Sequence, residues 1–370
     1  MGWVIVDSDS PLRSVERVLS GESWADFCDG LKAAGAVILR EASPRDPLDR
    51  AEGFRYLTRL VRTALEQQLE FADPAAPIFR RPSHETVKIG ADNPDNHYQS
   101  AAISGATEYV IRGRRNSVHY LGIGSYAGGY GSAGRSGQTG YIDDATLELR
   151  PDRSFEIAVS CEKRPGNWLP MEPDTSTLIV RQTYQSRARE RIADLTIESK
   201  GVSGPPAGLT PEALDRALGA AAAYVRGTAT LFTDWAEGFA QRKNELPRFD
   251  PKLAAAAHGD PNIVYYHGYW ELAEDEQLWI EVTPPACDYW NFQVNNHWME
   301  SLDYRWHRIA LNHSEAQLEP DGSLRLVLAA RNPGHPNWLE TAGHRRGTMC
   351  LRWIGAKAHP DPATRVVKGA

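Results

Sequence analysis

The chain has 370 residues, 24% of them charged and 41% hydrophobic, ordinary proportions for a globular protein large enough for two or three cores. Its formal net charge of −7 excludes nucleic acid as the main partner, because phosphate binding needs clustered Lys and Arg; the basic run RGRRN at 112–116 reads as a solvated turn. No apolar run approaches the roughly 18 residues of a membrane span, so no membrane partner is expected.

The first residues, MGWVIVDSDSPLR, are acidic where a secretory signal is basic, and Val6 breaks the myristoylation pattern. Cys28, Cys161, Cys287 and Cys350 are far apart and form no C-x-x-C pair, which points to a reducing cytoplasm. Helical periodicity runs from 11 to 75, with Leu57, Val61, Leu65 and Leu69 on one face, and PAAPIFRRP at 74–82 ends it. Strand patterns follow from about 86 to 200. A second helix is expected from Thr210, a hydroxyl cap followed by Pro211, to about Arg242, and strands return from 262 to 356. The loop at 122–140 contains Gly129-x-Gly131-x-x-Gly134, but no helix follows to receive a pyrophosphate. It reads as a loop at a sandwich mouth, able to close over a ligand.

The order helix, strands, helix, strands carries an internal repeat. Pro151, Asp152 and Ser154 recur as Pro320, Asp321 and Ser323, and Asn167-Trp168-Leu169 recurs as Asn337-Trp338-Leu339. Phe155, Ile157 and Val159 alternate as Leu324, Leu326 and Leu328 do, the mark of a strand with one buried face. The expected fold is α+β, mainly β: two related antiparallel, jelly-roll-like β-sandwich units, each preceded by helices. The boundaries are a helical region 1–82, a first β unit 83–205, a connecting helical region 206–258, a second β unit 259–357 and a tail 358–370. Residues shared by the copies are assigned to scaffold, and residues that differ are where specialised function is sought.

Four segments, DNPDNHYQSAAISGATEYVIRGRR at 92–115, GNWLPMEPDTSTLIVRQTY at 166–184, YWNFQVNNHWMESLDYRW and PNWLETAGHRRGTMCLRW, resemble the domain-of-unknown-function 1214 family. The resemblance spans roughly 54–200 and 209–356. It implies a jelly-roll β sandwich paired with a second β domain, sometimes secreted; this chain departs in showing no export signal. It implies no substrate and no catalytic residues.

The stretch YWNFQVNNHWMESLDYRWH, 289–307, concentrates the polar and aromatic groups. Tyr289 corresponds to Tyr120, and alternation puts Trp290, Phe292 and Val294 on one face and Asn291, Gln293 and Asn295 on the other. Copy one has Gly122 and Gly124 on that second face. A row of amides suits hydroxyl- or amide-bearing ligands, the alternative being a solvated outer face. Trp298, Trp306 and His307 are candidate pocket walls, and Glu300, Asp303 and His297 candidate acid–base groups. The spacing matches no metal motif, so no metal is assigned, and no cofactor is named. His313, His335 and His344 are surface-turn candidates that a pocket with His297 would recruit.

These groups support an enzyme, a hydrolase or lyase acting on a hydroxylated or amphipathic small molecule through a pocket in the second β unit. The alternative is a non-catalytic protein that binds a carbohydrate or lipid-like ligand on the same face. A scaffold assembling through the helix at 211–242 is a third reading, and homo-oligomerisation is left open.

Overall fold

Three helices open the part of the chain that a computed structural model describes, residues 11–131, 135–201, 206 and 208–369. The leader reading of residues 1–10 and Gly134 of the loop lie outside it. Helices α1 (Pro11–Ser20), α2 (Glu22–Ile38) and α3 (Pro47–Leu65) precede the first β unit. Asp46 caps α3 by accepting from the Asp49 amide, with Pro47 in the first turn. Helix α4 (Pro211–Phe239) starts as the sequence predicts, the Thr210 side chain accepting from the Ala213 amide at 3.2 Å. Its apolar face is not free for assembly. It packs on α1, α2 and α3, with Leu218 and Val225 in one core with Phe27, Tyr56 and Leu60. A short helix, α5 (Pro251–Ala256), precedes the second β unit.

The repeat is a duplication of topology. In the first unit the strands are β1 (Asn96–Ala102), β2 (Tyr109–Arg114), β3 (Tyr120–Ala127), β4 (Gly137–Asp143), β5 (Ser154–Ser160), β6 (Trp168–Pro170), β7 (Thr175–Thr183) and β8 (Asp194–Ser199). In the second they are β9 (Ile263–Glu271), β10 (Glu276–Val282), β11 (Tyr289–Val294), β12 (Ala310–Asn312), β13 (Leu324–Ala329), β14 (Trp338–Glu340), β15 (Arg346–Ile354) and β16 (Ala363–Lys368). The first unit has sheets ordered β1-β7-β3-β4 and β6-β5-β2-β8; the second repeats both, as β9-β15-β11-β12 and β14-β13-β10-β16. All pairings are antiparallel except β5 with β6 and β13 with β14. Each unit closes its own core, Leu121, Ile123, Phe155, Ile157 and Val159 in the first, Trp290, Phe292, Leu324, Leu326 and Leu328 in the second.

The shared motifs do structural work in both copies. Asp152 accepts from the amide and hydroxyl of Ser154, as Asp321 does from Ser323, and the intervening Arg153 and Gly322 both have positive φ. Asn167 ties Glu148 to Glu156, and Asn337 ties Gln317 to Arg325. Asn337→Ala is expected to cost about 1–3 kcal/mol in urea denaturation, because it strands one amide and two carbonyls. A change below about 0.5 kcal/mol, the usual surface value, would mean that water replaces the side chain.

The run at 112–116 differs from its expected solvated turn. Arg112 lies within β2, where it bridges Glu156 and Glu198, and Arg115 is buried against Asp144. Only Asn116, at φ 46°, is the turn.

Candidate functional site

The amide face of β11 is neither wet nor open. Asn291, Gln293 and Asn295 are fully buried, because the segment 91–96 leading into β1 lies across them. Asn291 donates to Asn93 Oδ1 at 2.9 Å and Gln293 to the Asp92 carbonyl at 2.9 Å. Asn295 donates to Thr348 Oγ1 at 3.2 Å. The expected ligand-binding row thus spends its hydrogen bonds on protein. Alternation revealed which side chains share a face, but a covering segment 200 residues away in sequence left no mark on it.

The other candidates scatter. Trp298 is buried in the helical core, its indole donating to the Asp49 carbonyl at 2.8 Å, whereas Trp306 is 78% exposed. His297 is 1% exposed and meets the Tyr269 hydroxyl at 2.9 Å through Nδ1; burial lowers its pKa to about 3. Glu300 accepts from Arg59 at 2.6 Å and from Asn296 at 3.0 Å, and burial pushes its carboxyl up. Asp303 is held by Arg305, whose hydrogen bond brings it down to about 2. His307 pairs with Glu340 at 3.0 Å. Glu300 and Asp303 therefore have different partners, and the expected acid–base pair is not assembled. Three residues apart in sequence they share a helical face only if the segment is helical, and it is not.

His344, His335 and His313 do not join His297. His344 binds Glu52 at 2.7 Å, His335 accepts from the Asn337 amide, and His313 meets Gln185. Among the described residues no group of three or more His, Cys, Asp or Glu side chains is arranged to hold a metal.

One cavity lies between the two β units, under α4 and α5. It is about 160 Å³, close to an engineered cavity that holds benzene. Each unit contributes the same pair of residues to its wall. Tyr98 of β1 is the register partner of Arg181 of β7, and Tyr265 of β9 is that of Arg352 of β15; all four line the cavity. The loops ahead of these strands match too. Asn93 donates its amide to the Tyr98 hydroxyl and Asp260 to that of Tyr265, and each side chain accepts from the amide two residues on.

The loops are exchanged. Tyr289 of the second unit donates to Asp95 at 2.5 Å, and Tyr120 of the first reaches Asp260 at 3.1 Å. The two units therefore pack about a pseudo-twofold axis, with the cavity beside it.

Arg352 donates to Gln293 at 2.6 Å, to Asn291 at 3.4 Å and to the Ala91 carbonyl. Arg181 donates to the Tyr126 hydroxyl at 3.1 Å and to the His258 carbonyl. Asn291 and Gln293 so become positioning residues for a cavity guanidinium. The rest of the wall combines aromatic rings, Tyr130, Phe232, Trp235 and Phe249, with polar groups that include Asp92 and Asn96; the Trp235 and Phe249 ring centroids are 4.7 Å apart. Burial holds His258 down to about 4 and His267 to about 3, so both rings are neutral at physiological pH. Cys350 lies 3.9 Å from His267, yet burial lifts its thiol to about 11, which leaves no activated nucleophile. Such a lining can stack on a flat molecule and donate guanidinium hydrogen bonds to it.

The repeat carried the signal for this site. LIVRQ at 178–182 and MCLRW at 349–353 place Arg181 and Arg352 at the same repeat position, where a shared residue reads as scaffold.

The chain is 53% identical to an uncharacterized protein from Burkholderia cenocepacia whose crystal structure superimposes with a TM-score of 0.94, over 95% of this chain and 98% of that one. A family model described as a protein of unknown function, DUF1214, matches residues 273–358. The chain belongs to the domain-of-unknown-function 1214 family. Within the chain, the family match covers β10 to β15 of the second unit. The VPA0106 protein from Vibrio parahaemolyticus is 12% identical over 85% of this chain and 98% of its own, with a TM-score of 0.49, too distant to inform fold or site. No curated protein matches. No helix among the described residues is long and apolar enough to cross a membrane.

Proposed function

We propose that this member of the domain-of-unknown-function 1214 family is a small-molecule-binding protein whose ligand occupies the cavity between its β units. The observation that carries it is a cavity of about 160 Å³ whose wall includes several aromatic rings and two guanidiniums. Ligand sites are concave and mostly apolar, with a few placed polar groups. The hydrolase or lyase alternative is less well supported, because it relies on Glu300, Asp303 and His297, of which the first and last are buried and bonded to protein. A reducing cytoplasm fits the same reading: Cys28 and Cys161 are exposed and unpaired.

The test is a thermal-shift panel of small aromatic and short-chain compounds, with crystals soaked in any that stabilise. A compound at about 100 times its Kd adds about 2.7 kcal/mol, a rise of several degrees, and its density should fill the cavity. Compounds that bind only elsewhere, or a panel without response, would show the cavity to be a packing space between two sandwiches.

A further inference from the structure

We propose that the ligand is a small organic acid, its oxyanion head held by Arg181 and Arg352 and its apolar body against Trp235, Phe232 and Phe249; this rests on the cavity being a ligand site. A guanidinium carries five N–H donors. Among the described residues those of Arg181 meet two acceptors and those of Arg352 three, every one an uncharged oxygen. Among the described residues neither makes an ion-pair contact, Asp260 acting on Arg181 and Asp92 and Asp95 on Arg352 only through their field, although charges buried in proteins are ordinarily paired by contact.

The carboxylates nearby are already engaged. Asp92, itself in the wall, accepts from the amide and hydroxyl of Ser301 at 3.0 and 2.9 Å and faces the charge of Lys88 first and of Arg352 after it. Asp260 takes the hydroxyls of Tyr120 and Tyr141, and Asp95 those of Tyr289 and the amide of Asn312. Two cations thus face one small space without a contacting anion. The duplication supplies the pair, one Arg per unit at equivalent register, and both line the same cavity. A carboxylate or phosphate ester accepts the guanidinium fork in the way neutral oxygens do not. The volume leaves room for a body about the size of one aromatic ring.

The experiment is calorimetric titration with benzoate, phenyl phosphate, benzamide and benzylamine. Either acid should bind at least about tenfold more tightly than benzamide, the preference a charge-assisted hydrogen bond provides, and benzylamine should not compete. In Arg352→Met and in Arg181→Met the preference for the acid over benzamide should shrink severalfold. Because Arg352 also ties β11 to the 91–96 segment, a crystal of the unmutated protein with the bound acid gives a second reading: its oxygens should contact both guanidiniums. Equal binding of benzoate and benzamide, or an acid head turned from the arginines, would overturn the acid assignment while leaving the cavity a ligand site. Four compounds without binding and an empty cavity would overturn both.

Discussion

Replacing Trp298 by alanine is expected to destabilise the protein by about 3–5 kcal/mol, the range for deleting a large buried aromatic. Its indole comes from the second β unit yet lies wholly inside the helical core, beside Tyr56, Leu60 and Leu218. The fit is close enough that a Cβ on Gly53 of α3 would fall 2.7 Å from the ring and 2.6 Å from Ile38. The indole N–H also satisfies the Asp49 carbonyl, so truncation adds an unpaired acceptor to the lost contacts. Guanidinium denaturation measures the loss. A deficit under about 1 kcal/mol, that of an average substitution, would mean that the helices and the second unit do not unfold together.

Arg59→Met should cost about 3–5 kcal/mol at neutral pH, because removing one partner of a buried ion pair leaves an uncompensated charge. Arg59 is the cation that contacts Glu300, whose side chain is 1% exposed. The remaining partner, Asn296, is shared with Glu52. The pH dependence has a definite sign. Burial already holds the folded pKa of Glu300 above its ordinary value, against the opposing charge of Arg59. A carboxyl raised on folding costs stability as pH climbs past its unfolded pKa, about 4.3, and costs nothing below it, where both states hold the proton. Loss of Arg59 widens that gap, so the deficit of Arg59→Met should shrink as pH falls toward 4. Adding Glu300→Gln should recover much of the loss at neutral pH. Urea titrations at a series of pH values decide it, and a deficit that does not change with pH would remove Glu300 from the account.

The local sequence determined the elements and their kinship. Thr210-Pro211 starts α4, the Asp-x-Ser turns set the strand entries, and alternation put Trp290, Phe292 and Val294 in a core, because each depends on neighbours within a few residues. The duplication was legible for the same reason: both copies solve one local folding problem with the same Asn-Trp-Leu and Asp-x-Ser groups. Which faces stay open was decided only by tertiary structure. Asn291, Gln293 and Asn295 look like a ligand face until the 91–96 segment covers them, and Trp298 and Trp306, eight residues apart, end in a core and in solvent. Tyr98, Arg181, Tyr265 and Arg352, which occupy matching places in the two copies, line the cavity between them. Sequence pattern records what a residue does within its own unit, whereas a cavity beside a pseudo-twofold axis exists only after the two units have met, and there the shared residues are the ones brought together.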